Sequence, residues 1–291
     1  MVTPAAARTA LVLLALLPAA LPVSAQTAPT DWRSYEGIAR ELDSDTLLYR
    51  ERHYQRFEAG QLRERVVTYL CPDSDTVFAR KRIDYRPSSI APAFELQDAR
   101  SDYREGLIWE QPDRVRIYAG PRTGTVASAL RPAGEWLVAD AGFDEFVRAR
   151  WAQLRAGQSQ RLRFTVPARA NDYRFRVQSD GVRTWAGQEA LVLRLRLDGP
   201  LGWFAPDIEV FYDLHSQRLL HYRGLSNLRS AEGGQLSAAI SFPEPASPVA
   251  ATEVDRTLAQ ALAGCADPTG VTGKLADTGR ASTIGQPDSA P

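Results

Sequence analysis

Gln160-Arg161-Leu162-Arg163-Phe164, Tyr173-Arg174-Phe175-Arg176-Val177 and Leu191-Val192-Leu193-Arg194-Leu195-Arg196-Leu197 each alternate arginine with apolar residues. Successive side chains of a β-strand point to opposite faces, so every one of these stretches presents one apolar and one basic face. Strands of this kind belong to an antiparallel sheet with one side buried and the other wet.

The flanking sequence extends the same pattern. Residues 46–57, 62–70 and 76–85 are long runs joined by Glu58-Ala59-Gly60-Gln61 and by Pro72-Asp73, which predicts an antiparallel meander. Residues 94–98, 106–110, 115–118 and 135–139 read as shorter strands, and 208–213, 218–222 and 236–242 as a further set. Helical spacing of Trp32, Tyr35, Ile38, Ala39 and Leu42 predicts a short helix over 31–42. Phe143, Phe146, Val147, Trp151 and Leu154 recur with the same period over 141–155, ahead of the stop signal Gly157. No βαβ alternation is present, so a parallel sheet is not expected. The predicted fold is mainly β: one antiparallel domain over 31–243, a strongly curved sheet or half barrel wrapped around the central helix. Its apolar face, with Phe164, Phe175, Leu193 and Leu195, should meet Phe143, Phe146 and Trp151.

At the start of the chain, Arg8, an apolar run over 10–21 and Val23-Ser24-Ala25 have the basic, apolar and small-x-small order of a cleaved secretory signal over 1–25. The run is shorter than the roughly 20 residues that cross a bilayer as a helix. The expected location is therefore the periplasm, with no transmembrane segment after cleavage, and no cysteine follows the cleavage site to carry a lipid. Beyond Pro243 the composition shifts to Pro, Ala, Ser, Thr, Gly and Asp, so 244–291 is expected as a mostly disordered tail with one helical stretch near 252–262.

Composition narrows the possible functions. A formal net charge of zero argues against nonspecific nucleic-acid binding. Methionine occurs only at position 1, which excludes a Met-rich adaptable surface. The two cysteines, Cys71 and Cys265, are too far apart in sequence for a CxxC redox pair or thiolate metal site, and whether they form a disulfide is left open. His53, His215 and His221 form no HxH or HxxxH pair, so no metal or cofactor is expected. Gly224-Leu225-Ser226-Asn227 lacks the second glycine of a nucleophile elbow and reads as a turn. Asp140 and Asp144 read as caps of the central helix, so no residue is assigned as catalytic.

Between Arg161 and Arg196 there are eight arginines against Asp172, Asp180 and Glu189. That local excess reads either as a wet face or as an anion-binding one. The candidate ligand residues are accordingly Phe143, Phe146 and Trp151 on the apolar side and Arg174, Arg176, Arg194 and Arg196 on the basic side. An outer-membrane barrel is not expected, because the runs are mostly shorter than the roughly 9 to 11 residues of its strands and a helix interrupts them.

Asp140-Ala141-Gly142-Phe143-Asp144-Glu145-Phe146-Val147-Arg148, Tyr222-Arg223-Gly224-Leu225-Ser226-Asn227 and Leu48-Tyr49-Arg50-Glu51 resemble segments of uncharacterised exported proteins of Gram-negative proteobacteria, over roughly 48–242. The order of many antiparallel strands with one or two helices is also similar to that of LolA/LolB-type periplasmic lipoprotein carriers. That resemblance implies an incomplete barrel whose concave apolar face, covered by helices, holds acyl chains. The expected function is a non-enzymatic binding or carrier protein for a lipid-like or anionic envelope ligand, with peripheral contact to an anionic membrane surface. The alternatives are an envelope enzyme with a dispersed site using Asp140, Asp144 or His221, and a structural protein binding another envelope protein.

Overall fold

The structure, a computed structural model, describes residues 31–199, 207–230 and 233–265. The expected signal over 1–25 and residues 266–291 of the expected tail lie outside the described residues. All described strands join in one large, curved, mostly antiparallel sheet that does not close on itself.

Strands β1 (Asp31–Arg40), β2 (Leu47–Glu58), β3 (Gln61–Leu70), β4 (Val77–Asp84), β5 (Ala93–Asp98), β6 (Tyr103–Gln111), β7 (Arg114–Pro121) and β8 (Ala127–Pro132) form a meander. Next come β9 (Leu137–Val138) and the helices α1 (Gly142–Ala149) and α2 (Trp151–Arg155). A second meander then runs through β10 (Gln160–Val166), β11 (Asn171–Trp185), β12 (Gln188–Leu197), β13 (Ile208–Asp213), β14 (Leu219–Arg229) and β15 (Gln235–Ser241). β15 pairs with β1, which places the first strand in the middle of the sheet and leaves β8 and β9 at its two ends. β9 joins β10 in the one parallel pairing among the described strands. The sheet curls until its ends approach, and Arg163 Nη1 on β10 donates to the Pro132 carbonyl on β8 at 3.3 Å.

Two hairpins show how the sequence sets this course. Ala59 and Gly60 have φ of 49° and 76°, and Ala186 and Gly187 have 46° and 80°. Paired left-handed residues make the tight turn whose twist matches the flanking strands.

Residues 31–42 are a correction to the sequence reading: 31–40 is strand, not helix. As β1 it has partners on both sides, which satisfies its backbone along its length, whereas an isolated helix this short is marginal. Inward-facing Gly37 is needed here, since a Cβ would stand 2.6 Å from Phe242 Cε1. A second correction concerns 224–227, which continue β14 instead of turning: Gly224 pairs with Ala238 and Leu225 with Ser237.

The helical segment lies against the concave face and breaks at Arg150 (φ −112°, ψ 14°) into α1 and α2. Phe143, Phe146, Val147 and Leu154 pack on Leu162, Val177, Leu191, Leu193, Leu195 and Val210. Trp151, Phe164 and Phe175 lie at the edge of that cluster, so the apolar side of the arginine strands meets the helices.

Through residue 265 the stretch beyond Pro243 is built onto the barrel. β16 (Ser247–Pro248) pairs with β1, and α3 (Ala251–Ala259) covers the outward side chains of Tyr54 and Val66 with Val254 and Leu258. Arg80 Nη2 donates to the Thr257 and Gln260 carbonyls at 3.1 and 2.6 Å, and Cys71 and Cys265 form a disulfide with Cα atoms 5.6 Å apart.

Candidate functional site

One register row crosses the concave face of the first meander. Tyr35 stands opposite His53, His53 opposite Val67, Val67 opposite Lys81, Lys81 opposite Leu96, and Leu96 opposite Glu105. The rows on either side add Glu51 and Arg65, and all five ionisable side chains are buried. An isolated charge in such a place is very costly, so each needs a partner.

The start of α1 supplies them. Lys81 Nζ donates to Asp140 Oδ1 at 2.7 Å, and Asn227 Nδ2 donates to the same oxygen at 3.1 Å. Four positions on, Asp144 accepts from Arg65 Nη1 at 3.2 Å and from the Tyr212 hydroxyl at 2.9 Å. Burial alone would raise the Asp144 carboxyl, but the Arg65 and Arg148 guanidiniums and the Tyr212 hydrogen bond more than offset it and hold it below the usual range. For Lys81, burial acts to lower the ammonium, and the Asp140 carboxylate overcomes this and raises it.

The capping role expected of Asp140 and Asp144 is therefore corrected. Ala141 is the N-cap of α1 and makes no side-chain cap bond. A carboxylate gains more from a cation in a low-dielectric interior than from amides at the end of a short helix. The two aspartates fasten the helix to β3 and β4.

The remaining polar groups complete this layer. His53 Nε2 lies 2.8 Å from Glu51 Oε2, and Tyr35 stacks on the imidazole at a centroid distance of 4.4 Å. Burial holds His53 below its ordinary value despite Glu51. The Tyr103 hydroxyl donates to Glu105 Oε2 at 2.7 Å, yet burial, helped by nearby Asp140, pushes the Glu105 carboxyl up to about 7.

His221 lies apart from Asp140 and Asp144. His221 lies on the outer side of the sheet, stacked on Trp185 at 4.1 Å with Nδ1 3.2 Å from Ser241 Oγ, while Asp140 and Asp144 are bound inside. His215 sits in a surface turn, where its backbone N–H and that of Ser216 donate to Asp213 Oδ1. Among the described residues no three His, Cys, Asp or Glu side chains group as metal ligands.

The candidate ligand residues fall into two places. Phe143 and Phe146 are buried beside each other, and an aromatic chain leads from Phe143 to Phe164 (6.3 Å) and on to half-buried Phe175 (6.0 Å). Trp151 is half-buried, edge-on to Tyr212 at 6.4 Å. The arginines occupy the opposite side of the sheet. Arg176 pairs with Asp198, Arg194 with Glu209, and Arg196 with Asp207, at 3.3, 2.8 and 2.9 Å. Among the described residues Arg174 alone of the four has no acidic partner, and it is exposed. The local excess counted along the sequence is largely neutralised by Asp198, Asp207 and Glu209, two of them from the next strand and its approach.

The inward charges were missed by sequence reading. Glu51, Arg65, Lys81 and Glu105 alternate with outward polar residues, so polarity does not distinguish the two faces. The available signal was the spacing of Asp140 and Asp144 on an otherwise apolar helix face.

No family model matches the chain, and no curated protein matches it. Among solved structures it is similar to a β-barrel-like protein of domain of unknown function DUF1849 from Brucella abortus, with 6% identity and a TM-score of 0.38 over 76% of this chain and 98% of that one. It is also similar to a putative outer membrane lipoprotein-sorting protein domain from Vibrio parahaemolyticus, with 8% identity and a TM-score of 0.26 over 79% of this chain and 90% of that one.

Proposed function

We propose that this chain is a non-enzymatic periplasmic binding or carrier protein that takes the acyl part of a lipid-like ligand between α2 and the aromatic wall of β10 and β11. The observation that carries this reading is the unequal fastening of the two helices. α1 is anchored by Asp140, Asp144, Phe146 and Val147, whereas α2 is separated from it by the break at Arg150 and buries only Leu154. Lifting α2 uncovers Trp151, Phe164 and Phe175 without breaking a buried ion pair. Acyl burial there yields about 0.8 kcal/mol per CH₂, enough for a medium chain to displace one short helix. Pairing of three of the four candidate arginines favours recognition of the apolar part of the ligand over its headgroup.

The test is titration of lipid-extracted protein with a dansylated undecanoic acid, read by dansyl emission. Saturable binding, competed by oleate and weakened at least fivefold by W151A or F175A, is expected. Absence of saturation, or binding indifferent to both substitutions, overturns the reading.

A further inference from the structure

The outer side of β12–β14 carries a second apolar cluster, unrelated to the helix-covered interior. Ala190, Val192, Phe211 and Leu220 form it, and Trp185 at the β11–β12 turn folds over them. The indole is fixed from below: it stacks on the His221 ring at 4.1 Å and meets Phe211 at 5.0 Å. Burial keeps that imidazole uncharged at neutral pH, with its value lowered to about 4, so the stack is apolar in character.

Beside Trp185 opens a pocket of about 230 Å³ whose apolar side chains are Trp185, Leu220 and Pro243. At about 30 Å³ for each water-sized group, it admits a body of roughly eight carbons. Gln188 and Arg218 add polar side chains to its lining. Arg218 Nη1 is held by the Phe242 carbonyl at 2.7 Å and the Glu244 carbonyl at 3.3 Å, which fixes the guanidinium plane. Its Nε and Nη2 make no hydrogen bond to a described residue, and among the described residues it has no acidic partner. This separates it from Arg176, Arg194 and Arg196, which are all paired. A positioned, unneutralised guanidinium lining a pocket walled by an indole is complementary to a carboxylate, which it can grip through two parallel N–H bonds.

We infer that this pocket is a binding site for a free medium-chain organic acid, the six-to-eight-carbon body lying against Trp185 and Leu220 and the carboxylate on Arg218. The site is independent of the acyl site under α2 and stands or falls separately.

Calorimetric titration with octanoate and with 1-octanol tests it. Octanoate should bind saturably and at least tenfold more tightly than the alcohol, the increment of one charge-assisted contact. R218Q should reduce octanoate to the affinity of octanol, and R218K should restore part of the difference. Because Arg218 also holds two carbonyls, Q188W supplies a second arm: an indole at this exposed lining position should fill the pocket and abolish binding of both ligands. All titrations are run in a W151A/F175A background, which takes the acyl site under α2 out of the readout. Equal affinities for acid and alcohol, or octanoate binding that survives both R218Q and Q188W, overturns the assignment.

Discussion

Glu105 and His221 give the molecule opposing pH responses. Glu105 titrates at 4.5 when unfolded and at about 7 when folded, so between those values the native state keeps a proton that the unfolded chain releases. Its contribution is therefore most favourable below about 4.5 and is lost as pH rises toward 7, by about 3 kcal/mol in all. His221 acts in the reverse sense: with 6.5 unfolded and about 4 folded, its contribution is full above 6.5 and is lost as pH falls toward 4. Urea unfolding across this range should show E105Q flattening the loss toward neutral pH and H221F flattening the loss toward acid. Unaltered slopes in either variant would remove that residue from the account. The Arg65–Asp144 pair makes a different prediction. D144N leaves a buried guanidinium without its counter-charge and should cost about 3–5 kcal/mol, whereas R65M combined with D144L should fall much closer to the parent. Denaturation midpoints of the three proteins decide it.

At the scale of elements, the most informative comparison is between α1, α2 and α3. All three lie on one sheet, but α1 is fixed by charge, α2 by one leucine, and α3 by a covalent bridge at its far end. The disulfide closes a sequence separation of 194 residues, and chain entropy alone assigns such a loop about 5 kcal/mol. Reduction, or C71S with C265S, should release α3 and uncover Tyr54 and Val66 while the strands persist. Hydrogen exchange should accordingly rise over 251–263 and stay slow over β2–β4; uniform acceleration would mean that the bridge supports the barrel as a whole. The elements also show what can be read from sequence and what cannot. The arginine strands were legible because their two faces differ in polarity. β1 was not: Tyr35, Gly37 and Ala39 face inward, and the spacing of Trp32, Tyr35 and Ile38 fits a helix as well as a strand. β8 was missed because it is largely exposed and has no apolar face. The helical segment was placed by its 3.6-residue period, but the break at Arg150 has no proline or glycine to announce it.

For the whole molecule, the feature that matters is that β1 and β15 meet across nearly the full length of the domain, in pairs such as Ile38 with Ser241. Loop-closure entropy has to be met before this pairing contributes, so folding should be slow for the size of the chain. A circular permutant with residues 265 and 31 joined by a short linker, and new ends in the exposed loop at 122–126, brings β15 close to β1 in sequence. Stopped-flow refolding should be faster than in the parent with unfolding little changed; an equal refolding rate would show that this pairing forms after the rate-limiting step. The half-barrel class was legible because turn signals recur at short intervals and no crossover helix separates the strands, whereas the closing pair lies beyond the reach of any local pattern.

The row of His53, Lys81 and Glu105 has one more consequence. A slip of one residue in β4 would turn Ala79, Lys81 and Ile83 to solvent and bring Arg80 and Arg82 inside together, where Asp140 can meet only one of them. A misaligned hairpin would thus bury a second guanidinium with no counter-charge to meet it. The salt bridges beneath α1 therefore proofread strand alignment, admitting the helix only onto a sheet whose register is already correct.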